Sequence, residues 1–116
     1  MTGRVTGIGG IYFRARDPKA LTEWYTTHLR ITVEDFWPQE AGDAVFAPFK
    51  AETDYWSTDR QWMLNLRVTG LEALEKRLTA AGIAVERRAE WDSPDIGQYA
   101  RIRDPEGNEI ELWEPI

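Results

Sequence analysis

Residues 104–112 read DPEGNEIEL, and this stretch decides the fold of the chain. A proline followed two residues later by a glycine is typical of a tight turn. Apolar and polar residues alternate on both sides of it, in 98–103 and in 109–114, as they do in strands with one buried face. The sequence therefore predicts a β-hairpin over residues 98–114.

An internal repeat organises the rest of the chain. Residues from about 10 to 34 share a pattern with residues from about 63 to 86; Ala20-Leu21, for example, matches Ala73-Leu74. Two copies with so long a period indicate a duplicated half-domain rather than a solenoid. We expect one domain over residues 1–116, built from two modules at about 5–58 and 60–116.

Each copy is predicted to open with a strand and to continue into a helix. Alternating residues indicate strands at about 10–15 and 63–68. The pair Asp17-Pro18 is typical of a helix start, Thr69 is the predicted cap of the second helix, and Gly82 is its predicted end. The residues at helical spacing are Leu21, Trp24, Tyr25, His28 and Leu29 in the first copy and Leu71, Leu74, Leu78 and Ala81 in the second.

The region between the repeats is predicted to hold short strands. They lie at about 32–36, 43–48 and 53–57, and proline and glycine residues separate them. Three tryptophans fall in loop-like stretches, where they would form a lid or pack against a second subunit: Trp37, Trp56 and Trp91.

The charge balance excludes several partners. Lysine and arginine number 14 against 20 aspartate and glutamate residues, a net charge of -6. Nucleic acid and anionic membrane surfaces both require a basic surface, so neither is expected as a partner. No apolar run is long enough to span a bilayer, and no signal-peptide core follows the N-terminus. We expect a soluble cytoplasmic protein.

Two residue types restrict the chemistry further. The chain has no cysteine, which excludes disulfides, thiolate metal sites and thiol nucleophiles. It has one histidine, which excludes a metal site with two histidines from one chain. That residue, His28, lies near the end of the first predicted helix, where a cationic group suits the helix dipole, and no catalytic role is expected for it.

Two segments resemble the glyoxalase/bleomycin-resistance/dioxygenase (vicinal oxygen chelate) superfamily. One is GGIYFRARDP at 9–18 with LTEWY at 21–25, and the other is DPEGNEIEL at 104–112. The resemblance implies an α+β fold of paired βαβββ modules, whose curled mixed sheet forms a cup with the helices outside and a small-molecule site within. It also makes a homodimer the expected assembly.

The resemblance also bears on metal binding. In metal-dependent relatives the ligands come from the first strand and the closing strand of each module. The usual histidine positions here hold Gly10 and Met63, neither of which suits a hard divalent ion. The closing glutamate is Glu111, and its first-module equivalent falls within 46–56, where Glu52 and Asp54 are the carboxylates. No cofactor is expected, with a divalent metal as the open alternative.

Strand alternation predicts which side chains line the cup. If Ile11, Phe13, Leu64 and Leu66 pack on the helices, their neighbours face the other way. The expected ligand-binding residues are Tyr12, Arg14, Met63, Asn65, Arg67, Tyr99, Arg101 and Trp113, with Gly10, Arg103 and Glu109 on the same side. Because arginine binds planar carboxylates bidentately, the arginines of this set predict a small anionic or carbonyl-bearing aromatic ligand. The alternative is that Arg14 with Glu111, and Arg67 with Glu109, merely neutralise each other.

Two functions follow from this site. In the first, Glu111 is a general base in a lyase- or isomerase-type enzyme that acts on a small carbonyl or carboxylate compound. In the second, the pocket sequesters a planar, antibiotic-like aromatic compound without converting it. A third interpretation is a dimerisation module without a ligand.

Overall fold

The computed structural model describes residues 2–31 and 35–116. Its elements are helix α1 at Pro18–Leu29, strand β1 at Leu64–Arg67, helix α2 at Leu71–Ala80, a 3₁₀ turn at Ala89–Trp91, strand β2 at Gly97–Arg103 and strand β3 at Glu109–Pro115. Within the described residues, no helix is long and apolar enough to cross a membrane. The α+β class predicted from the sequence is confirmed.

The three strands form one mixed sheet in the order β1-β3-β2. β3 lies in the centre, parallel to β1 and antiparallel to β2. The predicted hairpin is confirmed: the Asp104 carboxylate accepts hydrogen bonds from the backbone N–H groups of Glu106 and Asn108. Gly107 takes a φ of +84°, in the left-handed region that favours glycine.

One face of the sheet packs against both helices. The core consists of Leu21, Tyr25, Leu71, Leu78, Ala100, Ile102, Ile110 and Leu112. Leu66 and Val68 of the β1 region are half-buried against it, as alternation predicted. Burying a leucine or isoleucine completely contributes roughly 1.5–3 kcal/mol, so this face accounts for most of the stability that packing supplies.

The predicted start of α1 is confirmed. The Asp17 side chain accepts a hydrogen bond from the Ala20 N–H at 3.1 Å. From the hairpin turn, the Glu106 carboxylate accepts from the N–H groups of Arg16 and Asp17, at 2.7 and 3.0 Å. The Tyr25 hydroxyl donates to Asp104 at 2.7 Å, so α1 is joined to that turn at two points.

The predicted cap of α2 is wrong. The N-cap is Gly70, one residue after Thr69, with a φ of +66°. The Glu114 carboxylate accepts from the N–H groups of Gly70 and Leu71, at 2.8 and 3.0 Å. β3 brings this negative group to the positive end of the helix dipole, where it replaces a local cap. Gly82, with a φ of +83°, ends the helix as predicted, whereas Ala81 is exposed because it lies beyond the buried stripe.

The strands predicted for the first module are wrong where the structure describes them. Residues 10–15 form no strand, and Ile11 and Phe13 are 48% and 52% exposed rather than packed on the helices. Phe13 has one edge-on contact with Tyr25, at 6.2 Å between ring centroids. In the described part of the chain no strand lies beside 10–15, and a strand forms only when a neighbour satisfies its backbone groups.

The middle region gives the same outcome. Residues 43–48 and 53–57 form no strand, and most of the segment 32–36 lies outside the described residues. The sheet therefore consists of second-module strands and does not close into the predicted cup.

Candidate functional site

The second face of the sheet carries the polar side chains. Pairing places Asn65, Glu111 and Arg101 side by side across the three strands. Arg67, Trp113 and Tyr99 form the next row. We call these six residues the polar face. Alternation had predicted that they share one side of the sheet, opposite the aliphatic residues, and the register agrees.

Glu111 lies at the centre of the polar face and is only 7% exposed. Its Oε1 accepts a hydrogen bond from Asn65 Nδ2 at 2.7 Å, and its Oε2 accepts one from the Tyr55 hydroxyl. Burial and this bond to Glu111 raise the pKa of Tyr55 to about 12. Tyr55 therefore keeps its proton and donates to the carboxylate across the neutral pH range.

Arg101 lies beside Glu111 and is 6% exposed. Its Nη1 donates to Glu109 Oε2 at 2.6 Å and to the Tyr55 carbonyl at 3.0 Å. Its guanidinium lies 4.9 Å from the Tyr55 ring centroid and 5.2 Å from that of Trp91. Its Nε and Nη2 lack a hydrogen-bond partner in the described residues, and Nη2 lies 4.0 Å from Glu111 Oε2.

Residues 53–60, which we call the strap, cross the polar face without regular secondary structure. Besides the contacts of Tyr55, the Ser57 N–H donates to Glu109 Oε1 at 3.0 Å. Arg60 donates to the Asn108 side chain at 2.7 Å and to the Glu106 carbonyl at 3.0 Å. Sequence reasoning missed Tyr55; the adjacent aromatic residues 55–56 within a polar segment were the available signal.

The other side chains of the polar face have partners within the chain. Arg67 donates to the carbonyls of Glu40 and Asp43, at 2.5 and 2.8 Å, so it anchors a loop. The Tyr99 and Trp113 rings stack with centroids 6.3 Å apart. Burial and the charge of Glu111 raise the pKa of Tyr99.

Two residues predicted for the site lie apart from it. Tyr12 is 97% exposed and Arg14 is exposed, because the strand meant to carry them does not form. Met63 precedes β1 and is half-buried. The proposed Arg14–Glu111 and Arg67–Glu109 pairs are wrong, since Glu109 contacts Arg101 and Arg103 instead.

The tryptophans of the loop-like stretches take different places. Trp91 lies over Arg101, at the edge of the polar face. Trp56 belongs to the strap, where its Nε1 donates to the Arg60 carbonyl at 2.9 Å. Trp37 is 40% exposed.

The donor set does not fit a divalent metal ion. Both oxygens of Glu111 accept hydrogen bonds, and Glu109 is engaged with Arg101. Gly10 and Met63 provide no ligand suited to a hard ion. Over residues 2–31 and 35–116, no group of three or more histidine, cysteine, aspartate or glutamate side chains is arranged to hold a metal.

The comparisons with known proteins agree with this fold. The family model of the glyoxalase-like domain matches residues 10–113. TnmS3, an antibiotic binding protein from Streptomyces sp. CB03234, is 22% identical; the match covers 99% of this chain and 100% of that one, with a TM-score of 0.65. A glyoxylase/bleomycin resistance protein/dioxygenase domain from Frankia sp. EAN1pec is 19% identical over 97% of this chain and 100% of that one, with a TM-score of 0.62.

A third structure is similar over a shorter stretch. It is a protein from Bacillus anthracis described as of the glyoxalase family, 25% identical, with a TM-score of 0.42. The match covers 48% of this chain and 43% of that one, less than half of its length. No curated protein matches the chain. The match over residues 10–113 and the shared fold show that the chain belongs to the glyoxalase-like domain family, within the glyoxalase/bleomycin-resistance/dioxygenase superfamily.

Proposed function

We propose that this protein binds a small planar aromatic compound on the polar face and holds it without converting it. One observation carries the proposal: both oxygens of the buried Glu111 already accept hydrogen bonds, from Asn65 and Tyr55. A carboxylate held in this way is an anchor for hydrogen-bond donors rather than a base free to take a proton.

The side chains around Glu111 support an aromatic ligand. The rings of Tyr99, Trp113 and Trp91 lie on or beside the polar face. Ligand sites of this kind combine aromatic walls with a few polar groups that orient the ligand. Asn65 and the unpaired nitrogens of Arg101 supply those groups. TnmS3, which has this fold, is an antibiotic binding protein, so the role is one that the fold can carry.

A titration of aromatic phenols and carboxylates by isothermal calorimetry tests the proposal. We expect Asn65→Ala and Trp91→Ala each to weaken binding, by about tenfold, because each removes one contact worth roughly 1–1.5 kcal/mol. The matched control is Gln98→Ala, an exposed amide of β2 off the polar face, which should leave binding unchanged. Equal affinity in all four proteins contradicts the assignment of the site.

A second candidate is an enzyme of the lyase or isomerase type with Glu111 as its base. It is favoured by the burial of Glu111 against the protonated Tyr55, since a ligand that displaces the phenol would meet the carboxylate directly. Mass spectrometry of the bound compound separates the two functions. Recovery of unchanged compound supports binding alone, whereas conversion that Glu111→Gln abolishes supports catalysis.

We also propose that the site works without a metal ion, because its carboxylates are engaged by neighbouring side chains. Affinity should then be the same after dialysis against EDTA. A stoichiometric metal in the purified protein, with loss of affinity on its removal, contradicts this.

A homodimer is proposed as the assembly. Large apolar side chains of the first half are exposed, among them Val5, Ile8, Phe36 and Phe46. Packing side chains of this kind against a second copy of the chain would remove apolar surface from water, which is favourable. Light scattering should give twice the chain mass of 13.4 kDa, and a monomer at micromolar concentration contradicts the proposal.

A further inference from the structure

We propose that Tyr55 occupies the place of the ligand's own ring, so that the strap is an internal competitor and the ligand is a phenol. This inference rests on the proposed function and specifies its chemical class. The ligand would lift the strap, lay its ring beside Arg101 and donate its hydroxyl to Glu111.

The contacts of Tyr55 are those that a bound phenol would make. Its hydroxyl donates to Glu111 Oε2, and its ring faces the Arg101 guanidinium at 4.9 Å. Its ring also stacks on Phe49, with centroids 5.6 Å apart and planes 17° from parallel. A buried acceptor, a cation over the ring face and an aromatic neighbour together describe a site for a hydroxylated ring.

The strap is held in a way that allows it to leave. It has no regular secondary structure, and none of its residues is fully buried. Its bonds to the sheet strands are the hydroxyl and carbonyl of Tyr55 and the N–H of Ser57, and Arg60 at its end bonds to the hairpin turn. Segments with few buried apolar contacts open at low free-energy cost. When the strap leaves, the charge of Glu111 would still be balanced by Arg101. Nη2 of Arg101 lies 4.0 Å from Glu111 Oε2 and has no hydrogen-bond partner among the described residues.

The charges favour a neutral phenol over a carboxylate at this position. Glu109 and Glu111 are both buried here, and the chain carries a net charge of -6. Tyr55 meets Glu111 as a donor, whereas an anionic group there would have no proton to give. Benzoate-type ligands that contact only Arg101 are the competing class.

The experiment compares 2-naphthol with 2-methoxynaphthalene, which has the same rings but no donor, and with 2-naphthoate. By calorimetry we expect 2-naphthol to bind at least about tenfold more tightly than the methyl ether, because a hydrogen bond to a charged group is worth about 1.5–3 kcal/mol. Equal affinity of these two probes, or tighter binding of 2-naphthoate, overturns the phenol class.

Hydrogen exchange tests whether the strap is displaced in the unaltered protein. The Ser57 N–H is bonded to Glu109, so its exchange reports on strap closure. Bound 2-naphthol should increase exchange in residues 53–60, whereas a ligand that binds beneath a closed strap would decrease it. Decreased exchange overturns the displacement and leaves the binding function standing.

A variant pair provides the third readout. Tyr55→Phe removes the competing hydroxyl and should tighten the binding of both 2-naphthol and the methyl ether about tenfold, because each ligand then displaces a strap that has lost its bond to Glu111. The control is Phe46→Ala, at an exposed aromatic residue outside the strap. Unchanged affinity of both probes in Tyr55→Phe overturns the inference. If none of the three probes binds the unaltered protein or either variant, the proposed function itself is contradicted.

Discussion

The two modules predicted from the repeat share one sequence pattern and differ in what they bury. Helices form in both, at Pro18–Leu29 and Leu71–Ala80. The alternating segment of the second module, Leu64–Arg67, is a strand paired with β3, whereas its counterpart is unpaired and is exposed over residues 10–14. The comparison teaches that alternation of polar and apolar residues allows a segment to be a strand, and that the presence of a partner strand decides whether the strand forms.

The partner in the second module is supplied by the hairpin. β3 is flanked on both sides, by β1 and by β2, so that Ile110 and Leu112 are fully buried. The first module has the same helix signal but, among the described residues, no hairpin of its own beside it. Its helix α1 is bonded to Glu106 and Asp104 of the hairpin turn and packs Leu21 and Tyr25 into the shared core.

The largest expected difference between the modules concerns their arginines. Arg101→Met would remove the buried partner of Glu109 and leave the exposed Arg103 beside it, and breaking a buried pair in this way costs about 3–5 kcal/mol. Arg14→Met, at an exposed position of the first module, should change the free energy of unfolding by under about 0.5 kcal/mol. Urea denaturation measures both, and similar losses would contradict the contrast between the modules.

A matched pair of isoleucines gives the next largest effect. Ile110→Ala empties a fully buried position and should cost about 2–5 kcal/mol. Ile11→Ala changes a side chain that is half exposed and should cost under about 1 kcal/mol. Equal costs in denaturation experiments would mean that residues 10–15 are packed in solution as firmly as β3.

The smallest expected effect is a change in the start of α1 at acidic pH. Backbone hydrogen bonds from Arg16 and Asp17 hold the pKa of Glu106 below its ordinary value of 4.5. A depressed pKa means that this carboxylate stabilises the start of α1 at higher pH, and that the contribution is lost as pH falls below about 4.5 through the lowered pKa. The amide NMR shifts of Arg16 and Asp17 should follow this titration.

The control for that titration is Glu106→Gln. The variant keeps an oxygen acceptor but has no group that titrates, so the pH dependence of the two amide shifts below 4.5 should disappear. If the shifts titrate unchanged in the variant, another carboxyl group is responsible and the contact at the start of α1 is weaker than its geometry indicates.

The helix ends and the hairpin could be predicted because their signals are local. The start of α1 at Asp17, the end of α2 at Gly82 and the hairpin around Gly107 each depend on a few neighbouring residues. The shared side of Asn65 and Glu111 followed from strand alternation alone, since alternate side chains of a strand point to opposite faces.

Other features could not be predicted, because they join residues far apart in the chain. Glu114 replaces Thr69 as the cap of α2 only because β3 ends beside that helix. Tyr55 meets Glu111 across 56 residues, and no spacing rule connects them. Arg101 pairs with Glu109, its near neighbour across the hairpin, rather than leaving that glutamate to Arg67.

The sequence by itself determined the two helices, the closing hairpin and the sorting of polar from aliphatic side chains in the second module, because hydrogen bonds and side-chain periodicity within a few residues decide them. The tertiary structure decided which repeated segment became a strand and which residue covers Glu111. Those outcomes depend on long-range pairing, where the entropy of closing a loop must be offset by a partner that local sequence does not identify.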